Sequence, residues 1–175
     1  DYGPLVPAEG RVLNLLADRL ADAAAEVPRL RPVSAASGPE PGPAPVAPGE
    51  TAIVLVGRGS PDPAANADVH RVSRLLWETR AADYLTVETA FVTEAAPGVP
   101  GGLERCRRLG AKRAIVLPYL LFAGGLLERV WTQAMAYAAG HPGMDVRCAE
   151  AVGDCDGLAD VLIDHYEAVL TGSPA

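Results

Sequence analysis

The soft metal-binding side chains in this sequence are few, three histidines and three cysteines, and most of them lie far apart. Chemistry is best sought at Gly57-Arg58-Gly59-Ser60, followed by Asp62 between two prolines. Arg58 is a permanent cation whose planar fork matches a carboxylate, with Asp62 as its alternative surface partner. Ser60 stands outside a G-x-S-x-G elbow, so its expected work is to bond the turn's backbone or cap a helix. Gly57-x-Gly59 opens a dinucleotide fingerprint, but Asp62 fills the place of the third glycine and the lysine of a phosphate loop is absent. His70, His141 and His165 fall on three separate elements with no H-x-x-x-H spacing, which favours capping or surface roles over metal ligation. Cys106, Cys148 and Cys155 form no C-x-x-C pair, and their odd number argues against a disulfide framework. They are expected to be reduced thiols. Glu88 and Glu94 could accept protons, although Glu88 is expected on a helix-covered or edge face and Glu94 on a loop surface.

The elements that must position these groups follow from hydrophobic pattern. Ala52 to Val56 is an unbroken apolar run, short enough for a strand buried on both faces. The Gly57–Pro63 turn interrupts it. A helix with Ala65, Val69, Val72 and Leu76 on one side then spans about 63 to 80. Strand-like segments recur at 85–92, 114–122 and 144–152, separated by helical patterns at 103–109 and 127–139. Residues 97–102 read as a Pro/Gly turn. Asp156 caps a last helix with Leu158, Val161 and Leu162 on its apolar side. The order β-α-β-α-β-α-β-α predicts an α/β fold, a four-stranded parallel sheet flanked by helices. In such sheets ligands sit at the carboxyl ends of the strands. With a flavodoxin-like strand order, the turns after the first and third strands face one cleft.

Ahead of this unit lies a helix at 11–25, with Val12, Leu16, Leu20 and Ala24 on one stripe widened by Leu13 and Leu15. Between 31 and 50, prolines at 32, 39, 41, 43, 45 and 48 make a linker that cannot supply a packed core. The expected organisation is a helical segment at 1–30, a linker at 31–50 and an α/β domain at 51–172. The chain starts at Asp1 rather than Met, as a processed chain or a fragment would.

With 49% hydrophobic residues, the 175-residue chain can bury a sizeable core. Its net charge of −7 disfavours a nucleic-acid partner. No apolar run reaches the ~18 residues of a membrane span, and no signal peptide heads the chain. A cytoplasmic location is expected.

Four stretches carry a resemblance: VLVGRGSPDPAANADV (54–69), VETAFV (87–92), RCRRLGAKRAIVLPYLLFAGG (105–125) and HPGMDVRCAEAVGDCDGLADVL (141–162). Their order and spacing over about 120 residues resemble one half of a sirohydrochlorin chelatase, a class II chelatase that inserts cobalt or iron into a tetrapyrrole. The segment at 1–30 resembles the end of a preceding half in duplicated members, so the chain is similar to their C-terminal half. In active halves the first strand ends in His-Gly-Ser, where this chain has Arg58-Gly59-Ser60. A second histidine follows the Gly-Gly after the third strand, where this chain has Leu126. A carboxylate commonly ends Phe-Leu-Glu, where this chain has Phe91-Val92-Thr93. Each departure removes a group able to bind a dication, since a guanidinium has no lone pair to offer.

The resemblance therefore implies a half without metal ligands or bound cofactor, for which Co2+ or Fe2+ is a substrate. It would act with a partner half or a second copy. Arg58, Gly59, Ser60, Phe122, Gly124 and Gly125 are its expected tetrapyrrole-binding residues. A non-catalytic scaffold and a stand-alone tetrapyrrole- or anion-binding protein are the alternatives.

Overall fold

In the computed structural model, which describes residues 7–25, 46–120 and 124–152, the first strand is buried along its whole length because it lies inside the sheet. This strand, β1 (Thr51–Gly57), pairs in parallel with β2 (Thr86–Phe91) on one side and β3 (Arg113–Pro118) on the other. The fourth strand, β4 (Asp145–Cys148), pairs in parallel with β3. The order is β2-β1-β3-β4, the flavodoxin-like arrangement expected from sequence. The chain leaves β1 toward β2 but later adds β3 on β1's other side. The carboxyl ends of β1 and β3 thus flank the topological switch.

Strand alternation divides the core into two layers. Ala52, Val54 and Val56 face α3 (Val99–Arg108) and α4 (Gly125–Gly140), whereas Ile53 and Leu55 face α1 (Pro7–Ala24) and α2 (Pro63–Arg80). Leu13, Leu16 and Leu20 of α1 are fully buried against this second face, beside Leu76, Ile115 and Leu117. Each buried side chain of this size contributes about 1.5–3 kcal/mol. The helix ahead of the linker therefore covers this domain's own sheet.

Several boundaries differ from the sequence expectation. α3 begins at Val99, four residues early, because Pro100 fits a first helical turn where no N–H partner is needed. Gly102 belongs to that helix: a Cβ there would lie 2.9 Å from Val54 Cγ1 and 3.1 Å from Ala90 Cβ, so its absence lets α3 lie close on the sheet. β3 ends at Pro118 instead of continuing to 122, although Tyr119 N still donates to Val56 O at 2.8 Å. β4 is confined to Asp145–Cys148, and α1 starts at Pro7. The helix expected after Asp156 lies outside the described residues. No described helix is long and apolar enough to cross a membrane.

Candidate functional site

The loop after β1 is built by its own backbone and by the end of β2. Val92 N donates to Gly57 O at 3.0 Å, and Thr93 donates to Arg58 O through both N (2.9 Å) and Oγ1 (3.0 Å). This stitching brings Gly59 against the Thr93 carbonyl. Gly59 has φ +90°, and a Cβ on it would overlap that carbonyl oxygen. Beyond it, Asn66 of α2 closes the turn: Ser60 N donates to Asn66 Oδ1 (2.9 Å) while Asn66 Nδ2 donates to Ser60 O (2.8 Å). Ser60 Oγ accepts from Asp62 N at 3.0 Å, as expected of a turn serine. Asp62 Oδ1 accepts from Ala64 N at 3.0 Å and so caps α2.

The Asp62 carboxylate is therefore committed to the helix, and the expected Arg58–Asp62 surface pair is not formed. Among the described residues no hydrogen bond or ion pair engages the exposed Arg58 guanidinium. It borders a cavity of about 920 Å³ at the carboxyl ends of β1 and β3, a size typical of small-molecule sites, which run roughly 300–1,000 Å³. Val69 of α2, Tyr119 and Leu120 after β3, and Leu126 of α4 supply much of the wall. Arg58 and Leu126 thus share one cleft, as the switch-point argument requires. Thr93 sits behind the loop, its hydroxyl spent on the Arg58 carbonyl.

Two further lining residues come from outside the β1 loop and the turn after β3. Val12 reaches the cavity from α1, a segment that sequence assigned to a separate unit. Glu94, expected on loop surface, is exposed but lines the cavity. It has φ +60° inside a tight turn closed by Ala95 N donating to Thr93 O at 2.6 Å. A non-glycine residue held there costs on the order of 1 kcal/mol, a conformation that clusters at functional sites. Among the described lining residues, the charged ones are Arg58 and Glu94, set over largely apolar walls. Asn66 could have been suspected from its place one turn into α2, and Glu94 is a candidate base by sequence whose place in the cavity wall had no local signal; Val12 had none either.

Of the other expected residues, Gly59 and Ser60 line the cavity. Gly124 and Gly125 are exposed at the start of α4 and are not among its lining residues, while Phe122 lies outside the described residues. Glu88 faces Arg105, 3.7 Å away, from the middle of the edge strand β2. His70 is exposed and meets the edge of Phe91, and His141 stacks on Tyr137 with 4.0 Å between ring centroids. His165 and Cys155 lie outside the described residues. Burial pushes the Cys106 thiol up to about 12 and Cys148 to about 11, which leaves both poor nucleophiles and poor ligands. Among the described residues no three His, Cys, Asp or Glu side chains gather as a metal site.

Comparison with known proteins places this geometry. The CbiX family model matches residues 52–169, about two thirds of the chain. The chain belongs to the CbiX family, that of the sirohydrochlorin chelatases. A relative from Priestia megaterium, named sirohydrochlorin cobaltochelatase, is 38% identical over 123 residues, which make up 70% of this chain and 40% of that protein. The sirohydrochlorin ferrochelatase of the same organism is 33% identical over 129 residues, 70% of this chain and 44% of that protein. This chain therefore spans less than half the length of these relatives. Among solved structures, SirB from Bacillus subtilis with Fe3+ superposes with a TM-score of 0.65 at 22% identity, covering 91% of this chain and 53% of that one. A cobalamin (vitamin B12) biosynthesis CbiX protein from Marinobacter aquaeolei VT8 gives 0.59 at 23% identity, with 70% of this chain matching 99% of that one. Both show that the α/β fold is that of the CbiX proteins.

Proposed function

We propose that this chain is one unit of a sirohydrochlorin chelatase, shaping the tetrapyrrole cleft and holding a substrate carboxylate while the dication is bound by another unit. The overall reaction replaces two pyrrole N–H protons with Co2+ or Fe2+, so it needs a group that delivers the metal and a base that takes the protons. Arg58 cannot bind a dication, Leu126 has no lone pair, and the Thr93 hydroxyl is engaged in the loop. The metal-delivering groups then belong to a partner half that precedes the linker in a longer protein. On this reading residues 1–30 end the preceding half, 31–50 tether it, and 51–172 form the present unit, working in the cytoplasm.

One observation carries the reading: a guanidinium that no other described residue engages stands at the mouth of a cavity of about 920 Å³. Sirohydrochlorin bears acetate and propionate groups around an apolar macrocycle, which matches a fork-shaped cation over apolar walls. Glu94, across the same mouth, is the lining carboxylate able to accept a pyrrole proton.

Titration of the chain with sirohydrochlorin, followed by absorbance, tests the proposal. Loss of a charge-assisted bond is worth ~1.5–3 kcal/mol, so Arg58→Ala should weaken binding about tenfold or more. Arg58→Lys should recover only part of that loss, since an ammonium cannot make the bidentate pair. Cobalt or iron insertion by the chain alone should be negligible. Unchanged binding by Arg58→Ala would instead make this unit a scaffold. Rapid metal insertion by the chain alone would overturn the division of labour.

A further inference from the structure

The wall of the cavity formed by α1 is anchored from the opposite end of that helix. Arg147 of β4 directs one guanidinium nitrogen at the last carbonyls of the helical segment: Ala23 O at 3.3 Å, and Ala24 O and Ala25 O at 3.4 Å each. Its Nε donates to Asp145 Oδ2 at 3.1 Å, and the same oxygen accepts from Arg113 Nε at 2.8 Å. Arg113 is only 6% exposed, so this carboxylate is fixed from beneath and in turn aims Arg147. The arrangement places a cation at the negative end of the α1 macrodipole. Val12, which lines the cavity, lies twelve residues earlier on the same helix, about 18 Å away along its axis at ~1.5 Å per residue.

We infer that Arg147 is a positioning residue for the binding cavity, setting where Val12 stands in its wall. The Leu13/Leu16/Leu20 stripe holds α1 on the sheet, but apolar burial is non-directional and leaves a helix free to slide or tilt by small amounts. Hydrogen bonds to the last carbonyls are directional and fix the helix along its axis. The Arg80 Nε to Asn14 Oδ1 bond of 2.9 Å joins α1 to α2, yet both of those groups are exposed. The bonds to the helix terminus come from a side chain that is mostly covered and already oriented by Asp145. Because α1 contributes to the wall, a ligand that fills the cavity must also favour the docked helix, by the reciprocity of linked equilibria.

The test compares the 175-residue chain with Arg147→Ala and Arg147→Lys. Hydrogen exchange should quicken about three- to tenfold across α1 in Arg147→Ala, the scale of a cation at a helix terminus, while β1 and β3 keep their protection. A purely structural role would loosen the sheet as well. Methyl resonances of Val69 and Val152, which share the cavity with Val12, should move in Arg147→Ala and return part-way in Arg147→Lys. Unchanged α1 exchange or unchanged methyl shifts would overturn the inference.

The link to function rests on the tetrapyrrole reading above. Sirohydrochlorin should slow α1 exchange in the wild type and bind Arg147→Ala about three- to tenfold more weakly, the same coupling seen from the other side. Equal binding by wild type and Arg147→Ala, with shifted methyls, would show that the wall does not govern affinity and would overturn the positioning role. If the wild type fails to bind sirohydrochlorin, the substrate assignment falls, and the ligand-free methyl and exchange measurements still decide whether Arg147 positions the wall.

Discussion

The two ends of this sheet treat charge in opposite ways. At the carboxyl end, Arg58 and Glu94 stand at a cavity mouth with no hydrogen bond or ion pair to their side chains among the described residues, on loops whose backbone is forced into positive φ at Gly59 and Glu94. Toward the amino end and the β4 edge, charges are matched. Arg113 and Arg147 share Asp145, Lys112 meets Glu50, and Glu104 accepts from Arg107, Arg108 and Tyr137. Bonds from Arg107 and Arg108 hold the Glu104 carboxyl well below the usual carboxylate range, and the bond from Lys112 lowers Glu50. Both carboxylates lie at the surface, where such pairs contribute little stability. What distinguishes the cavity mouth is that Arg58 and Glu94 are engaged by no other described side chain and the backbone beside them is kept in costly conformations, the combination expected where a ligand completes the interactions.

Substitutions at the two ends should therefore separate stability from binding. The largest effect is expected for Gly59→Ala. It combines a positive φ with overlap of the new Cβ on the Thr93 carbonyl, for a loss of roughly 3 kcal/mol or more. Denaturant unfolding would measure it, and a loss below 1 kcal/mol would show that the loop can relax without harm.

Asp145→Asn comes next, at about 1–3 kcal/mol, since it weakens charge-assisted bonds to the buried Arg113 and to Arg147. Burial alone would raise the Asp145 carboxyl, but the bond from Arg113 and the charge of Arg147 outweigh it and hold the carboxyl below its ordinary range. A depressed folded value means the stabilisation is complete above the unfolded value of about 4 and fades as pH falls through the folded one. The difference between wild type and Asp145→Asn should thus be full at pH 7 and shrink in acid. A gap that stays constant down to pH 2 would contradict the assignment.

A smaller change of opposite sign is expected for Glu94→Gly, which relieves a positive φ and should raise stability by about 0.5–1 kcal/mol. Metal insertion by an active assembly containing the variant should fall at the same time, because the lining carboxylate is gone. A variant that is less stable and fully active would break the contrast between the two ends. The smallest stability effect belongs to Arg58→Ala, within about 0.5 kcal/mol, since its guanidinium is exposed and bonds to no other described residue. Thermal unfolding should leave its midpoint almost unmoved even where tetrapyrrole binding drops.

Much of this architecture follows from local pattern. An apolar β-branched run, a Gly/Pro turn and a helix-period stripe, repeated in alternation, leave a parallel sheet as the solution that buries every stripe. Right-handed crossovers then limit the strand orders available. Arg58 could be placed at a ligand-binding end for the same reason: it is the second residue after a buried strand's last apolar position. Its freedom from Asp62 could not be read, because one carboxylate can cap a helix or pair with an arginine and only the backbone direction at Pro63 decides between them. Nor could the cavity's other members be read. Glu94 depends on a turn held by hydrogen bonds to the β1 loop, and Val12 depends on where α1 lands. That landing involves Arg147 and Ala23, 124 positions apart in the chain. Sequence by itself determined the order of the described elements and the end of the sheet where the cavity opens, since these rest on periodicity and chirality within short stretches. Which side chains share the cavity was decided only by tertiary structure, because it rests on directional bonds between segments whose distance in sequence carries no local signal.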